Sequence, residues 1–232
     1  MSELRILDVT ETEIGTIYLG QREVPGAEDT VFEILIGDDV LMTSLSPVSE
    51  RRLSVSALEQ HGGEGPLRVL VGGLGLGYTA QALLSDARVE SVRIAEKMTF
   101  IIDWMNEGKL PLSEQFANDE RVSIVQNDVY KTLLGTASEQ FDLILVDVDH
   151  APDDPLSDES LPFYTREGQQ QVCKHLRPGG ILGIWSVVEN DEFLAVLDEV
   201  YSESRCEEVT WQDLEFPEAD YQNALFYART PR

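Results

Sequence analysis

The glycine-rich segment Val71-Gly72-Gly73-Leu74-Gly75-Leu76-Gly77-Tyr78 is the clearest indication of how this chain folds. It follows an apolar run at residues 67–71 and opens a helical pattern at residues 78–84. Because glycines carry no side chain, a ligand can approach this backbone closely, and the next helix offers free N–H groups. We therefore predict that Gly72, Gly73, Gly75 and Gly77 bind a ligand. A tight turn between strand and helix, without a ligand, is the alternative.

Downstream of this segment, apolar runs alternate with helical patterns. We predict strands at residues 67–71, 91–96, 122–125, 141–147 and 181–185, and helices at residues 78–84, 99–107, 130–134, 165–176 and 192–201. Two final strands, at residues 206–211 and 224–228, have no helix between them. Such alternation indicates a doubly wound α/β fold with helices on both faces of a parallel sheet. The sheet is expected to be seven-stranded and mostly parallel, with an antiparallel edge.

The first 60 residues have a different pattern, typical of a small antiparallel β module. The predicted strands cover residues 5–9, 14–19, 31–36 and 40–43, with a turn at residues 37–39 and a linking helix at residues 49–59. The glycine- and proline-rich residues 61–66 mark a boundary. We therefore expect a module at residues 1–60 and a ligand-binding domain at residues 61–232.

Acidic residues follow the second and third strands of the α/β array. Glu96 lies 19 residues after Gly77, where an acid can accept hydrogen bonds from both hydroxyls of a ribose. Asp128 is placed to accept a hydrogen bond from an adenine amino group, and Val129 to pack on the ring. An exposed acid at a strand end is the alternative for Glu96. For Asp128 the alternative is a helix N-cap, and both roles can hold at once.

The fourth strand ends in Asp147-Val148-Asp149-His150. Ligands of open α/β sheets bind beyond the carboxyl ends of the strands, so Asp147, Asp149 and His150 are candidates for general-base catalysis. A surface pair between Asp149 and His150 is the alternative.

The segment that follows, residues 151–162, holds four acids and three prolines and is long enough for a lid. Phe163 and Tyr164 come next in the chain. They are expected either to line the pocket or to pack in the core.

Charge limits the partners of this chain. With 43 acidic and 17 basic residues, its net charge of −26 disfavours nucleic acid and anionic lipid. The charge either attracts cationic substrates such as polyamines or forms a solvating coat suited to high salt. We favour the coat, because the acids are spread along the whole chain.

Other simple features point to a cytoplasmic protein without metal. No apolar run approaches the roughly 20 residues of a membrane span, and the first residues do not resemble a secretory signal. Cys173, Cys206 and three histidines fit no metal-binding spacing, so we expect buried, reduced thiols.

Taken together, these motifs resemble the spermidine synthase-like proteins, aminopropyltransferases with the fold of class I S-adenosylmethionine-dependent methyltransferases. The resemblance covers almost the whole chain, including the N-terminal module, and is carried by residues 72–77, Glu96, Asn127-Asp128, Val146-Asp147, Phe163-Tyr164 and residues 176–180. It implies S-adenosylmethionine or its decarboxylated form as cofactor, with S-adenosylhomocysteine or methylthioadenosine as product. It also implies that Glu96 binds the ribose, that Asp128 binds the adenine, and that Asp147 borders the cofactor and the amine pocket.

Three departures from the family pattern matter. The strand-four motif of the family is Asp-Ser-Ser/Thr-Asp, whose last aspartate is the base, whereas His150 holds that position here and Asp149 precedes it. The glycine loop of the family usually carries an acid, which helps to bind the amine end of the cofactor, where this chain has Leu74 or Leu76. The family's Tyr-His pair is not evident in residues 49–58.

Four hypotheses follow. The first is transfer of an aminopropyl or related alkyl group to a small cationic amine, with Asp149 or His150 removing a proton from the amine. The second is methyl transfer, because a loop without an acid suits a cofactor that keeps its carboxylate. The third is a non-catalytic nucleotide-binding protein, and a nicotinamide-dependent dehydrogenase is the weakest. A homodimer is possible, because an exposed β module often pairs with its copy.

Overall fold

The computed structural model describes residues 3–12, 15–37 and 39–231 and contains two β-sheets. The N-terminal sheet is antiparallel, with strands in sequential order: β1 (Arg5–Thr12), β2 (Gly15–Arg22), β3 (Val31–Ile36) and β4 (Asp39–Thr43). This confirms the predicted antiparallel module. Ile14 of the predicted second strand and Asp38 of the predicted turn lie outside the described residues.

Helix α1 (Val48–His61) links the two sheets. It ends at Gly62, whose φ of 64° is left-handed and therefore suits glycine. Leu53 and Leu58 are buried, and the helix packs on the strands and helix that follow the linker. Val55 of the same helix is exposed.

The second sheet has seven strands, and its order confirms the doubly wound prediction. Its elements are β5 (Leu67–Gly72), α2 (Tyr78–Leu84), β6 (Val89–Glu96), α3 (Thr99–Asn106), α4 (Ser113–Ala117), β7 (Val122–Gln126), α5 (Val129–Leu134), β8 (Phe141–Val146), α6 (Arg166–Val172), β9 (Leu176–Ser186), α7 (Asp191–Val200), β10 (Glu203–Trp211) and β11 (Tyr221–Arg229). The spatial order is β10-β11-β9-β8-β5-β6-β7. Strands β5 to β9 are parallel, while β10 and β11 form the antiparallel edge. The strand order reverses between β5 and β8, where open α/β sheets bind ligands.

The core lies on both faces of this sheet, which explains why its strands are uniformly apolar. Along β8, Leu143 and Leu145 pack in one cluster with α1, α2 and α3, whereas Ile144 and Val146 pack in another with α5, α6 and α7. Strands β2 and β3 of the N-terminal sheet also contribute to the first cluster. The two sheets therefore share one apolar core.

An ion pair also joins the two sheets. Arg22 of β2 contacts Glu33 of β3 and Glu215, which lies between β10 and β11. These two carboxylates hold the pKa of Arg22 above its ordinary value. The N-terminal module is thus held to the far edge of the larger sheet.

The helix predicted at residues 165–176 ends earlier, at Val172, and a short 3-10 turn over Cys173–His175 follows it. The sequence after His175 reads as a proline-glycine helix stop, but Leu176 already pairs with Phe141 of β8. The register between β8 and β9 shifts at this point: Phe141 pairs with Leu176, whereas Leu143 pairs with Ile181. The two cysteines are free thiols, as expected, but they are half-buried rather than buried. No helix in the described part of the chain is long and apolar enough to cross a membrane.

Candidate active site

The glycine loop connects β5 to α2 and is tied to both neighbouring strands. The carbonyl oxygen of Gly72 accepts a hydrogen bond from the amide of Asp147 (2.9 Å), which follows β8. The amide of Gly73 donates to the carbonyl oxygen of Ala95 (3.0 Å) on β6. Gly73, Gly75 and Gly77 have φ values of 92°, 49° and 96°. Because residues with a side chain rarely adopt these backbone angles, the loop conformation itself requires glycine.

The space beside each glycine is occupied by the protein. A Cβ built on Gly72 would lie 2.7 Å from Val129 Cγ1, and one built on Gly73 would lie 2.3 Å from the Asp147 carbonyl oxygen. A Cβ built on Gly75 would lie 2.9 Å from Met42 Sδ, and one built on Gly77 would lie 3.0 Å from Phe116 Cε2. These glycines therefore serve close packing whether or not a ligand is bound. Met42 belongs to β4, so the N-terminal module contacts the glycine loop directly. Ligand binding by the four glycines stays a prediction.

Glu96 ends β6 and faces the glycine loop. It is only 6% exposed, and its carboxylate accepts hydrogen bonds from the amides of Leu74 (2.8 Å) and Met98 (2.7 Å). Burial raises the pKa of Glu96, while these backbone amides oppose the rise. Glu96 is therefore not the exposed strand-end acid of the alternative. A ribose bound here would share the carboxylate with the loop amides, and that role stays a prediction.

Asp128 caps helix α5, which confirms the N-cap role. Its carboxylate accepts a hydrogen bond from the amide of Lys131 (3.1 Å), and the Lys97 ammonium lies 3.3 Å from its other oxygen. Val129 is buried against Gly72. The adenine contacts predicted for Asp128 and Val129 stay predictions.

Replacing Asp128 with alanine is expected to lower the free energy of unfolding by about 1 kcal/mol, because helix α5 loses its cap. Asp128→Asn keeps the capping oxygen and should be nearly as stable as the unaltered protein. Urea denaturation of the three proteins measures this difference. Equal midpoints for Asp128→Ala and Asp128→Asn would contradict the capping role.

Asp147 lies just beyond β8, next to the glycine loop. The Thr79 hydroxyl on α2 donates a hydrogen bond to Asp147 Oδ2 (2.7 Å). Burial raises the pKa of Asp147, and the bond from Thr79 opposes this rise.

Glu50, in the first turn of α1, is a second carboxyl group near Asp147. Burial and the charge of Asp147 raise the pKa of Glu50 to about 7. The Ser49 hydroxyl donates to Glu50 Oε2 (3.0 Å) and accepts a hydrogen bond from the Trp185 indole (3.0 Å), near the end of β9. Glu50 was not among the residues predicted from the sequence, because it belongs to no motif and lies far from Asp147 in the chain. The signal in the sequence that could have indicated Glu50 was an acidic residue in the first turn of the linking helix.

Asp149 and His150 point in different directions. Asp149 is 3% exposed and accepts hydrogen bonds from the Tyr164 hydroxyl (2.9 Å) and the Leu156 amide (2.9 Å). His150 is exposed, and its carbonyl oxygen accepts a hydrogen bond from the Val187 amide (2.7 Å). The alternative of a surface pair is therefore not supported. The proposed catalytic roles of both residues stay predictions.

The segment predicted as a lid has local structure of its own. It contains an isolated bridge between Ala151 and Asp154, followed by a 3-10 helix over Asp158–Tyr164. Phe163 and Tyr164 are buried, and Tyr164 contacts Phe193 edge to face, with the ring centroids 5.1 Å apart. These two aromatic residues therefore pack in the core, which was one of the two expectations. Through its bond to Tyr164, Asp149 anchors this segment.

A cleft of about 1170 Å³ lies beside the site, between the N-terminal module and helices α2 to α4. Its lining includes Phe32, Arg51, Tyr78, Phe116 and Leu214, but not the glycine loop, Glu96 or Asp147. The cleft therefore adjoins the site at Tyr78, at the start of α2, and at Phe116, which lies against Gly77. Among residues 3–12, 15–37 and 39–231, no three His, Cys, Asp or Glu side chains are arranged to hold a metal ion.

The fold and the sheet order define an α/β protein with the fold of S-adenosylmethionine-dependent methyltransferases, in the form with an added N-terminal β-sheet that spermidine synthases have. A spermidine synthase solved with the transition state analogue AdoDATO superposes with a TM-score of 0.74 at 16% identity, covering 98% of this chain and 75% of that chain. The spermidine synthase of Thermotoga maritima gives a TM-score of 0.72 at 16% identity, with coverages of 98% and 74%. These likenesses establish the fold.

Sequence comparison confirms the resemblance to this family over half of the chain. The chain is 32% identical over 121 residues to a polyamine aminopropyltransferase of Oceanobacillus iheyensis, covering 51% of this chain and 23% of the relative. It is 31% identical over 117 residues to putrescine N-methyltransferase 2 of Nicotiana tabacum, covering 50% and 31%. The chain thus spans about a quarter to a third of the length of the curated relatives it matches. No family model matches the chain.

Proposed function

We propose that this protein is a transferase that moves an aminopropyl or related alkyl group from a decarboxylated S-adenosylmethionine-type cofactor to a small amine. The observation that carries this proposal is the meeting of the glycine loop, Glu96 and Asp147 where β5, β6 and β8 end. One relative is named for aminopropyl transfer to polyamines and another for methyl transfer to putrescine. Both names describe group transfer to an amine.

The residues at this edge fit the parts of such a cofactor. Glu96 is the acid beside the glycine loop and is assigned to the ribose, while Val129 and Asp128 are assigned to the adenine. When bound, the cofactor supplies a carbon activated by a neighbouring sulfonium. The chain supplies position, and the half-buried Asp147 carboxylate attracts and orients a cationic amine. Asp149 and His150 are our candidates for the group that takes a proton from that amine.

Methyl transfer is the second candidate function, and the glycine loop favours it. Leu74 and Leu76 are 5% and 4% exposed and belong to the apolar core, so neither places a charge beside the cofactor. A cofactor that keeps its carboxylate is therefore not repelled by the loop. The carboxyl groups of Glu50 and Asp147 disfavour methyl transfer, because their charges repel the carboxylate that S-adenosylmethionine keeps. We therefore place aminopropyl transfer first.

Incubation with putrescine and either decarboxylated S-adenosylmethionine or S-adenosylmethionine tests the proposal. Mass spectrometry should detect spermidine and methylthioadenosine with the first cofactor. Asp147→Asn should lower kcat/KM on the order of 100-fold, because the amine loses its charged partner. Asp153→Asn, on the exposed face of the following segment, is the matched control and should keep the activity.

Other outcomes would change the assignment. N-methylputrescine and S-adenosylhomocysteine as products would establish methyl transfer instead. If neither cofactor is turned over but calorimetry still detects methylthioadenosine binding, the third hypothesis, a non-catalytic nucleotide-binding protein, is favoured.

A further inference from the structure

The end of the sheet beside the glycine loop receives its acidic side chains from outside the loop. Leu74 and Leu76 turn into the apolar core, as described above. Glu50 comes from the first turn of α1, and Asp147 from the end of β8. Ser49, next to Glu50 in the chain, accepts a hydrogen bond from Trp185, which directly follows Ile184, the partner of Val146 at the end of β8. Glu50 and Asp147, from distant parts of the sequence, therefore lie at the same end of β8, and the charge of Asp147 contributes to the raised pKa of Glu50.

Both carboxyl groups are held in place by neutral hydrogen-bond donors. Ser49 donates to Glu50, and Thr79 donates to Asp147. Helices α1 and α2 are themselves joined by a buried hydrogen bond of 2.6 Å from the Ser54 hydroxyl to the Thr79 carbonyl oxygen. The spacing of the two carboxyl groups is thus fixed by the packing of these two helices.

The basic side chain nearest in sequence is engaged elsewhere. Arg51 lies over the Tyr78 ring, 5.1 Å from its centroid, and donates a hydrogen bond to Gln81 (3.2 Å). The groups whose charges act on Glu50 are Asp147, which raises its pKa, and Arg51, which lowers it. Burial raises the pKa of Tyr78 on α2, and the charge of Glu50 adds a smaller rise. Arg51 does not prevent the net rise in the pKa of Glu50. A cation at this point would relieve the repulsion between the two carboxylates.

We propose that Glu50, together with Asp147, binds the ammonium group of an amine and determines the specificity of this site for cationic ligands. The inference rests on the proposed function, whose amine acceptor independently calls for such a subsite. An ammonium group occurs at the aminopropyl end of a decarboxylated cofactor and also on a diamine acceptor. Glu50 discriminates against a cofactor that keeps its carboxylate, since that group would approach two other acids.

The pair also makes amine binding depend on pH. Below about pH 7 Glu50 holds a proton in the free protein, and above it the carboxylate is ionised. Binding of an ammonium group favours the ionised form, so Glu50 releases its proton to the buffer near neutral pH. The affinity for an amine should therefore rise as the pH is raised from 6 to 8.

Isothermal titration calorimetry of Glu50→Gln tests this inference, with Glu59→Gln as the matched control on the exposed side of the same helix. The ligands are methylthioadenosine, decarboxylated S-adenosylmethionine, S-adenosylmethionine, and putrescine added with methylthioadenosine. We expect Glu50→Gln to weaken one or both amine ligands at least 10-fold at pH 8 and to remove the pH dependence. Methylthioadenosine should bind unchanged to all three proteins, and Glu59→Gln should behave as the unaltered protein.

The arms of this experiment separate the possible failures. A loss confined to decarboxylated S-adenosylmethionine assigns the subsite to the cofactor, whereas a loss confined to putrescine assigns it to the acceptor. Unchanged amine binding in Glu50→Gln would overturn the inference, as would a parallel loss of methylthioadenosine, which indicates a structural role. Glu50→Asp, which keeps the charge, should retain pH dependence. If the unaltered protein binds putrescine but no nucleoside, the proposed function fails while the ammonium subsite stands.

Discussion

Glu96→Ala is expected to lower the free energy of unfolding by about 2–4 kcal/mol and to reduce methylthioadenosine binding at least 100-fold. The Glu96 carboxylate is buried and accepts the amide hydrogens of Leu74 and Met98. Alanine leaves both amides without that acceptor, and a buried donor without a partner costs about 1–3 kcal/mol. Loss of the carboxylate also removes the group assigned to the ribose. Urea denaturation and calorimetry measure the two effects.

Two further variants distinguish the structural effect from the ligand contact. Glu90→Ala, an exposed position on the same strand, should change neither quantity. Glu96→Gln keeps one acceptor oxygen and should fall between the unaltered protein and Glu96→Ala in stability. Full stability of Glu96→Ala would show that the loop does not depend on this carboxylate. Unchanged nucleoside affinity in a folded Glu96→Ala protein would remove Glu96 from the proposed site.

Gly73→Ala is expected to destabilise the protein by about 3–5 kcal/mol, the largest effect of any single change in the loop. The added Cβ would lie 2.3 Å from the Asp147 carbonyl oxygen, and the backbone there has a φ of 92°. Because that oxygen is backbone, no side-chain rotation relieves the clash. The loop and the end of β8 must therefore separate, which also displaces the Asp147 carboxylate. Thermal and urea unfolding measure the loss of stability.

Gly65→Ala is the matched control for this substitution. Gly65 lies in the exposed linker, and nothing lies within 4 Å of a Cβ built there. Its replacement should change the free energy of unfolding by no more than about 0.5 kcal/mol. If the two alanine variants were equally stable, the loop could not have the conformation described for Gly73.

Much of the fold could be predicted from the sequence because buried parallel strands are apolar along their whole length. Strand β8 is an unbroken buried run, and α2 begins directly after the glycine loop, so both were located correctly. Helix α4 has five residues, too few for a helical period to show. The end of α6 was misplaced, because a helix stop and the start of a strand overlap in Pro178-Gly179-Gly180.

The candidate site was predictable in position but not in orientation. Acids at strand ends are visible in the sequence, and Glu96 and Asp147 do meet beside the glycine loop. Which atoms a carboxylate faces depends on the folded loop, and Glu96 faces the amides of Leu74 and Met98. The approach of Glu50 to Asp147 depends on the packing of α1 across the sheet, which no local pattern encodes.

The contact between Met42 and Gly75 joins the N-terminal module to the glycine loop of the larger sheet. A fragment that begins at residue 61 would keep every strand of the larger sheet but would lack the thioether that covers the loop. The module therefore borders the place where we propose that the cofactor binds. A nucleoside bound there would be enclosed by both parts at once, so its binding energy would oppose their separation.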